Sequence, residues 1–548
     1  MFVVCRKISG KSKTRVMICQ SIRIGKKVLQ KTIKYYGVAH NEEQRTIFID
    51  QARKEIAILT ASAPRVKKVP HSEEAPIDFC DGALLGHMTE RFRITEGLHT
   101  VLGPIFDELM LAPLFTKIRY AQLRDLVIAR IAHPCSKLHT ATILTKKFMR
   151  PLSAGQIYRL MDEVIDLEDN IKLSVFETTN KLTQKQTTDL LLFDVTTLYF
   201  ESQKNDELRE FGYSKDHKVG ETQVVLALAT TATGLPIGYH LFKGNTAEVS
   251  TLLTCLENWK TLFDVKDVIV VADRAMMSED NLKAMEEAKF KFTYVVAAKL
   301  KKLPKKLREV ILERKAESSV NFGEEIVSIQ EYDHEGRRLI IQYSEKRAIK
   351  DAKDRERLID RIRKKLNESN KTGTRKLVTN KGYLKFLDEE KKGQAVLNEK
   401  KIEEEKRWDG LHGVITNDTT SSALELLTRY RRLWVIEESF RINKHTLAMR
   451  PIYHFTKDRI KAHILICYLA FAITRYAQQK INIFDDSISI EKIRNSLAEI
   501  EASILEDRVT GQFYKMPSRL SKEATMIYRA VGVQKPKGPS RYTLKQEM

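Results

Sequence analysis

Only six cysteines occur in 548 residues, at 5, 19, 80, 135, 255 and 467, and no two form a C-x-x-C pair. This spacing excludes a zinc ribbon and a dense disulfide framework, and it favours a reducing compartment. The start, Met1-Phe-Val-Val-Cys-Arg6, lacks the charged segment and apolar run of a secretory signal. The longest unbroken apolar run, Ile464–Ile473, has ten residues, about half of what a bilayer-spanning helix needs. A cytoplasmic protein without a membrane partner is therefore expected. Neither an internal repeat nor a phosphate-cradling glycine loop is present. Acidic residues are missing altogether from residues 1–40, which carry ten Lys or Arg.

What is present is positive charge. Lys and Arg number 94 against 72 Asp and Glu, a formal charge of +22. Such an excess favours a polyanionic partner, because cations that neutralise phosphates release condensed counterions. The length allows several domains and a large core.

Six segments follow from patterning. Residues 1–60 form a basic, β-rich amino-terminal module. Arg15–Arg23 and Lys27–Tyr36 read as strands joined at Ile24-Gly25-Lys26, a hairpin signal. Residues 61–186 read as helical and as a DNA-binding region. Pro134 stops a periodic run from Tyr120 to Ala132, and Ser153 with Gln156 has capping-box spacing. Residues 187–299 alternate: strands at 190–200, 223–229 and 235–242, a helix towards Trp259, a strand at 268–272, a helix at 278–288 and a strand at 292–298. Residues 300–407 are a charged α+β insertion, with strands near 320–332 and 338–343 and a helix from Lys346 to about Asn367. Residues 408–480 resume with a last strand, the helix that carries Glu437, and an apolar helix, Arg459–Gln478, expected to pack on it. Residues 481–548 read as a helical region ending in a mobile tail.

Three carboxylates stand out. Asp194 ends the apolar run Leu190-Leu-Leu-Phe, and Asp273 ends Val268-Ile-Val-Val-Ala. Glu437 lies in Tyr430-Arg-Arg-Leu-Trp-Val-Ile-Glu437-Glu-Ser-Phe-Arg-Ile-Asn-Lys444, which reads as one helix. Seven-residue spacing would return Tyr430, Glu437 and Lys444 to one face and turn Glu438 aside. Two strand-end aspartates followed by a helical glutamate form the pattern of metal-dependent phosphoryl transfer on a ribonuclease H-like sheet. Mg²⁺ prefers hard oxygen ligands, so a few carboxylates and the substrate phosphates suffice. Singly, each acid has an ordinary structural explanation as a turn cap or surface residue. The constellation is what favours chemistry.

At these residues the chain resembles the DDE transposases of bacterial insertion sequences. It is most similar to the group whose third acid lies in a Tyr-x2-Arg-x3-Glu-x6-Lys signature. Tyr430, Glu437 and Lys444 match, whereas the Arg position is Leu433; Arg431 or Arg432 would have to reach the same phosphate. The resemblance implies an α/β fold: a ribonuclease H-like catalytic core with a large α+β insertion, behind a basic β module and a helical DNA-binding region. It implies two Mg²⁺ ions, with Mn²⁺ as a substitute, held by Asp194, Asp273 and Glu437. It also implies strand cleavage at transposon ends followed by joining to target DNA. Double-stranded DNA, as inverted repeats and target, is the expected partner, with the chain a homodimer on it. Secondary DNA contacts are Lys215, His217 and Lys218 in the loop Gly212–Lys218, together with Arg274; for the loop, a solvated surface is an equal reading. A nuclease of the same fold that never joins strands, and a DNA-binding regulator that keeps the core as scaffold, remain as alternatives. The presence of all three acids argues against the regulator.

Overall fold

The computed structural model describes residues 2–7, 13–24, 27–61, 86–183, 190–201, 204–212, 221–263, 269–272, 278–288, 292–313, 318–322, 325–372, 385–389 and 395–543. It forms two compact units. The first comprises Met1–Ser174, Asn443–Met449 and Tyr453–Met548; the second comprises Val175–Ile442 and Arg450–Ile452.

In the first unit, β1 (Phe2–Lys7), β2 (Thr14–Ile24) and β3 (Lys27–Ala39) form an antiparallel sheet in that order. The β2–β3 register closes with Ile24 opposite Lys27; the hairpin turn between them, with Gly25, lies outside the described residues. The helix Glu42–Ala61 packs on this sheet, setting Phe48 and Ala52 against Val16, Ile18 and Tyr36. From that helix Glu55 accepts from Lys34 at 2.5 Å and from the Tyr36 hydroxyl. One of the ten amino-terminal cations is thus neutralised by the next element. A strand not foreseen in the sequence, β4 (Met88–Thr95), precedes the helices Gly97–Asp107, Lys117–Ala132, Lys137–Lys146 and Ala154–Asp166. The expected capping box is present: Ser153 accepts the Gln156 amide and the Gln156 side chain accepts the Ser153 amide. The apolar helix spans Lys457–Asn482 and packs on Ala154–Asp166, Lys117–Ala132 and Gly97–Asp107. By length and composition it is apolar enough to cross a membrane, but 94% of its most apolar window is buried. Its neighbours make it the core helix of this unit.

The second unit is a mixed α/β structure around one large sheet. The strands β5 (Leu190–Tyr199), β6 (Gln223–Thr230) and β7 (Pro236–Lys243) form an antiparallel meander. Gly234 makes the β6–β7 turn at φ +81°, a conformation only glycine adopts without strain. After the helix Glu248–Phe263, β8 (Ile269–Ala272) runs parallel to β5 on its other side. After the helix Glu279–Glu287, β9 (Thr293–Ala297) runs parallel to β8. These elements follow the order read from the sequence.

The insertion does not stand apart. Its strands β10 (Ser318–Phe322), β11 (Glu325–His334) and β12 (Arg337–Ser344) belong to the same sheet. A small hairpin, β13 (Leu387–Glu389) with β14 (Ala395–Leu397), packs with the long helix Glu345–Thr372. The link is β15 (Leu411–Thr416), which pairs with β9 on one side and β12 on the other. The order is β10-β11-β12-β15-β9-β8-β5-β6-β7. Leu339, Ile340 and Ile341 of β12 are buried, so these strands read as apolar runs because both faces are covered.

Beyond residue 480 the sequence reading fails in part. The helices Ile490–Ala498 and Lys522–Val531 occur, but β16 (Glu501–Asp507), β17 (Phe513–Pro517) and β18 (Ser540–Tyr542) complete a sheet with β4 in the order β18-β17-β16-β4. The segment expected to be a mobile tail therefore contributes an edge strand. Its pairing partner, β17, lies more than twenty residues earlier, where no hairpin signal links the two.

Candidate active site

Asp194 sits in the middle of β5, flanked on both sides by strands. Opposite it on β6 is Leu228, and Phe193 pairs in parallel with Ala272, the last residue of β8. Phe193 packs its ring on Trp259 at 5.8 Å. Because side chains alternate along a strand, Asp194 projects from the opposite face. It is half-buried, and its Oδ1 accepts the Val195 amide at 2.7 Å. Asp273 and Arg274 lie outside the described residues, as do Lys215, His217 and Lys218. Among the described residues no group of three His, Cys, Asp or Glu side chains is placed to hold a metal ion.

Glu437 comes from the helix Trp434–Arg441, which packs on β5 and β6. It is exposed, whereas Val435, Ile436, Ser439 and Phe440 are buried. Glu438 is half-buried and lies 3.7 Å from the Arg441 guanidinium. The two adjacent acids thus differ in surroundings: the more exposed is Glu437, and the one beside an arginine is Glu438.

The single long helix does not form, however. A first helix, Ala423–Arg431, starts at a Ser422–Glu425 capping box and ends at Arg431. Bonds from Leu433 to Tyr430, Val435 to Arg432 and Ile436 to Leu433 tighten the chain into i→i−3 turns before it resumes at Trp434. After Arg441 it widens into a π turn, Ile442–Thr446, which holds Lys444. Tight turns advance each residue by about 120° rather than 100°. The seven-residue face argument for Tyr430, Glu437 and Lys444 therefore does not carry across the run. Lys444 is half-buried and belongs to the first unit.

The cations divide by role. Arg431 donates to Gln342 of β12 at 3.1 Å, and burial lowers its pKa. Arg432, at the helix junction, is exposed. Tyr430 stacks obliquely on His412 of β15 at 5.1 Å. His412 was not singled out in the sequence; only the pairing of β15 with β12, which runs through it, would have drawn it in. Arg450 places its guanidinium over the Tyr199 ring at 5.3 Å, and Ile452 bridges in parallel to Phe200. Arg450–Ile452 thus runs beside the end of the Asp194 strand.

Asp418, just after β15, shows the structural use of a strand-end aspartate. It is buried, and its Oδ1 accepts the Thr420 and Ser421 amides at 2.8 and 2.9 Å and the Thr420 hydroxyl at 2.8 Å. Arg429 lies 3.4 Å from its other oxygen. Burial raises its pKa, but the hydrogen bonds from Ser421 and Thr420 outweigh this and hold it well below the usual carboxylate range. Such a residue closes a loop.

No curated protein matches this chain. Among solved structures, it is similar to a piggyBac transposase synaptic complex with hairpin DNA, at 10% identity and a TM-score of 0.36, covering 74% of this chain and 77% of that one. A family model described as the transposase DDE domain matches residues 185–473, more than half of the chain. The chain belongs to this family of DDE transposases, enzymes that cleave DNA and transfer its strands in a metal-dependent reaction.

Proposed function

We propose that this DNA transposase mobilises a bacterial insertion sequence of the Tyr-Arg-Glu-Lys group, acting in the cytoplasm as a homodimer assembled on inverted repeats. Its catalytic core is of the ribonuclease H-like type: the meander β5–β7 followed by β8 and β9, giving the sheet order β7-β6-β5-β8-β9, supports this. The observation that carries the site is one register pair. Phe193 lies beside Ala272, and in the sequence the residue after each of them is one of the two aspartates. The packing of the Glu437 helix on β5 brings the third acid's element to the same strand.

Asp194, Asp273 and Glu437 offer only carboxylate oxygens, a donor set that suits Mg²⁺, with Mn²⁺ as a substitute. Two such ions, when bound, would neutralise charge on the attacking and leaving oxygens and lower the pKa of the nucleophile. The protein's own residues position the strands. Arg432, Tyr430 and Lys444 bind phosphates near the scissile bond, and Arg431, through Gln342, fixes the junction that presents Arg432. Lys215, His217, Lys218 and Arg274 bind flanking DNA. Water attacks first and frees a 3′-hydroxyl; that hydroxyl then attacks target DNA, so positioning alone lets one site serve both steps. No residue need form a covalent intermediate.

The test uses Asp194→Ala and Asp273→Ala on DNA carrying the repeats that flank the gene. Both variants should lose cleavage yet bind the ends nearly as well as the wild type, because cations elsewhere on the protein supply affinity for phosphates. Retained Mg²⁺-dependent cleavage in either would sink the assignment. A wild type that cuts without joining strands would favour the nuclease.

A further inference from the structure

Within the first unit, the segment before the helix Lys457–Asn482 presents two aromatic rings to solvent. Tyr453 is 56% exposed and Phe455 67%. His454, between them, turns inward, with its ring 6.3 Å from Tyr158 and 5.4 Å from His463. This out-in-out alternation is that of an extended segment, in which successive side chains point to opposite sides. Burial first, then the nearby Lys137 and Arg130, drives the His454 pKa down to about 3. It therefore stays neutral and seated at physiological pH, and the outward rings are held by a fixed neighbour. Their surroundings are cationic: residues 453–461 contain Lys457, Arg459 and Lys461 against one acid, Asp458. Lys457 and Lys461 are one helical turn apart. Arg459 lies over the Tyr158 ring at 4.9 Å and donates to Asp162, tying the segment to the helix Ala154–Asp166.

An apolar protein partner gains little from a lysine-rich rim. Exposed rings among cations instead suit unpaired bases, whose π faces stack while their phosphates meet the charges. We propose that Tyr453 and Phe455 form a stacking platform for unpaired bases at a DNA strand end, with Lys457 and Lys461 on the adjoining phosphates. This rests on the DNA-transposase reading and adds a substrate subsite to it. A transposase that opens and rejoins strand ends exposes such bases, whereas a closed duplex hides their faces.

The full chain would be titrated with a blunt duplex of about 20 base pairs and with the same duplex carrying an overhang of about five nucleotides that includes 2-aminopurine, roughly one binding site of this kind. The wild type should bind the overhang duplex more tightly and quench its fluorescence by stacking. Tyr453→Ala with Phe455→Ala should lose about tenfold or more of the overhang-dependent affinity, together with the quench, while blunt-duplex affinity holds. Tyr453→Phe and Phe455→Tyr should retain both. An increment that survives the double alanine change overturns the platform, as does an equal loss on both probes. If light scattering shows self-association lost with the increment intact, a second copy covers the rings and the proposal falls. Wild-type binding to the blunt duplex without any increment removes the platform alone; failure on both probes would count against the DNA-binding reading as well.

Discussion

Lys137 is 3% exposed, and its ammonium nitrogen lies 3.2 Å from His463 Nδ1. His463 Nε2 lies 3.0 Å from the Met449 carbonyl, so it is the donor there and Nδ1 is left to accept from Lys137. Burial, and next the charge of Arg130, lowers the Lys137 pKa from 10.5 to about 7. The unfolded chain then binds one more proton than the folded one between these values, so stability rises with pH across the window. A shift of that size corresponds to about 5 kcal/mol, fully present as a penalty below pH 7 and gone above pH 10.5. Lys137→Met removes the penalty but leaves His463 Nδ1 unsatisfied, at about 1–3 kcal/mol. The variant should therefore be more stable than the wild type at pH 6.5 by about 2–4 kcal/mol and less stable at pH 10.5, crossing at roughly pH 8–10. Urea unfolding of both proteins across this range, followed by circular dichroism, measures the difference. A wild type that is the more stable at every pH, or a difference that does not change with pH, would refute the reasoning.

Three further expectations are direct. Glu437→Gln should lower cleavage by about two orders of magnitude or more with folding intact, as expected on losing a charge-stabilising group; Glu438→Gln should change it little, which a Mg²⁺ cleavage assay on both variants decides. Changing exposed Arg6, Lys7 and Arg15 together to Gln should lower the slope of log affinity against log salt by roughly 0.9 for each phosphate left without its cation; an unchanged slope means the amino-terminal sheet does not face DNA. Arg337, buried and paired with Glu286 at 2.8 Å and Glu279 at 2.6 Å, should cost about 2–4 kcal/mol when changed to Met. The Arg337 hydrogen bond lowers the Glu286 pKa, so this loss should be full at pH 7 and shrink as pH falls below 4.5, as urea unfolding of the two proteins at both pH values would measure.

Local signals were legible where one element declares itself. The strands from β5 to β9 are apolar runs separated by caps and by Gly234, and their order follows from the chain alone. The Ser153–Gln156 box fixes a helix start without outside help. Pairings between distant segments were not legible. Nothing in Leu411–Thr416 says that it will join β9 to β12, because that choice depends on which edges are open when it arrives. The same holds for β4 with β16: residues 501–507 alternate only until the bulge between Ile504 and Leu505. The segment 1–40 holds no acid of its own, and Glu55, which pairs with Lys34, comes from the following helix, so that pairing is invisible within the segment.

The third acid shows the limit most closely. Every residue from Tyr430 to Ile436 is an acceptable helix former, with no Pro or Gly to announce a break, so composition predicts one helix. The i→i−3 bonds at Leu433, Val435 and Ile436 and the π turn after Arg441 are set instead by packing. The buried set Val435, Ile436, Ser439 and Phe440 must meet the unit's core while Leu426 and Leu427 of the preceding helix meet it too. Spacing singled out Glu437 through an ideal face that the chain does not form. Burial separates the two neighbours on other grounds: Glu437 is exposed on a helix packed on the Asp194 strand, and Glu438 is half-buried beside Arg441. The π turn after Arg441 carries Lys444, so the direction of that side chain follows from packing and not from seven-residue spacing.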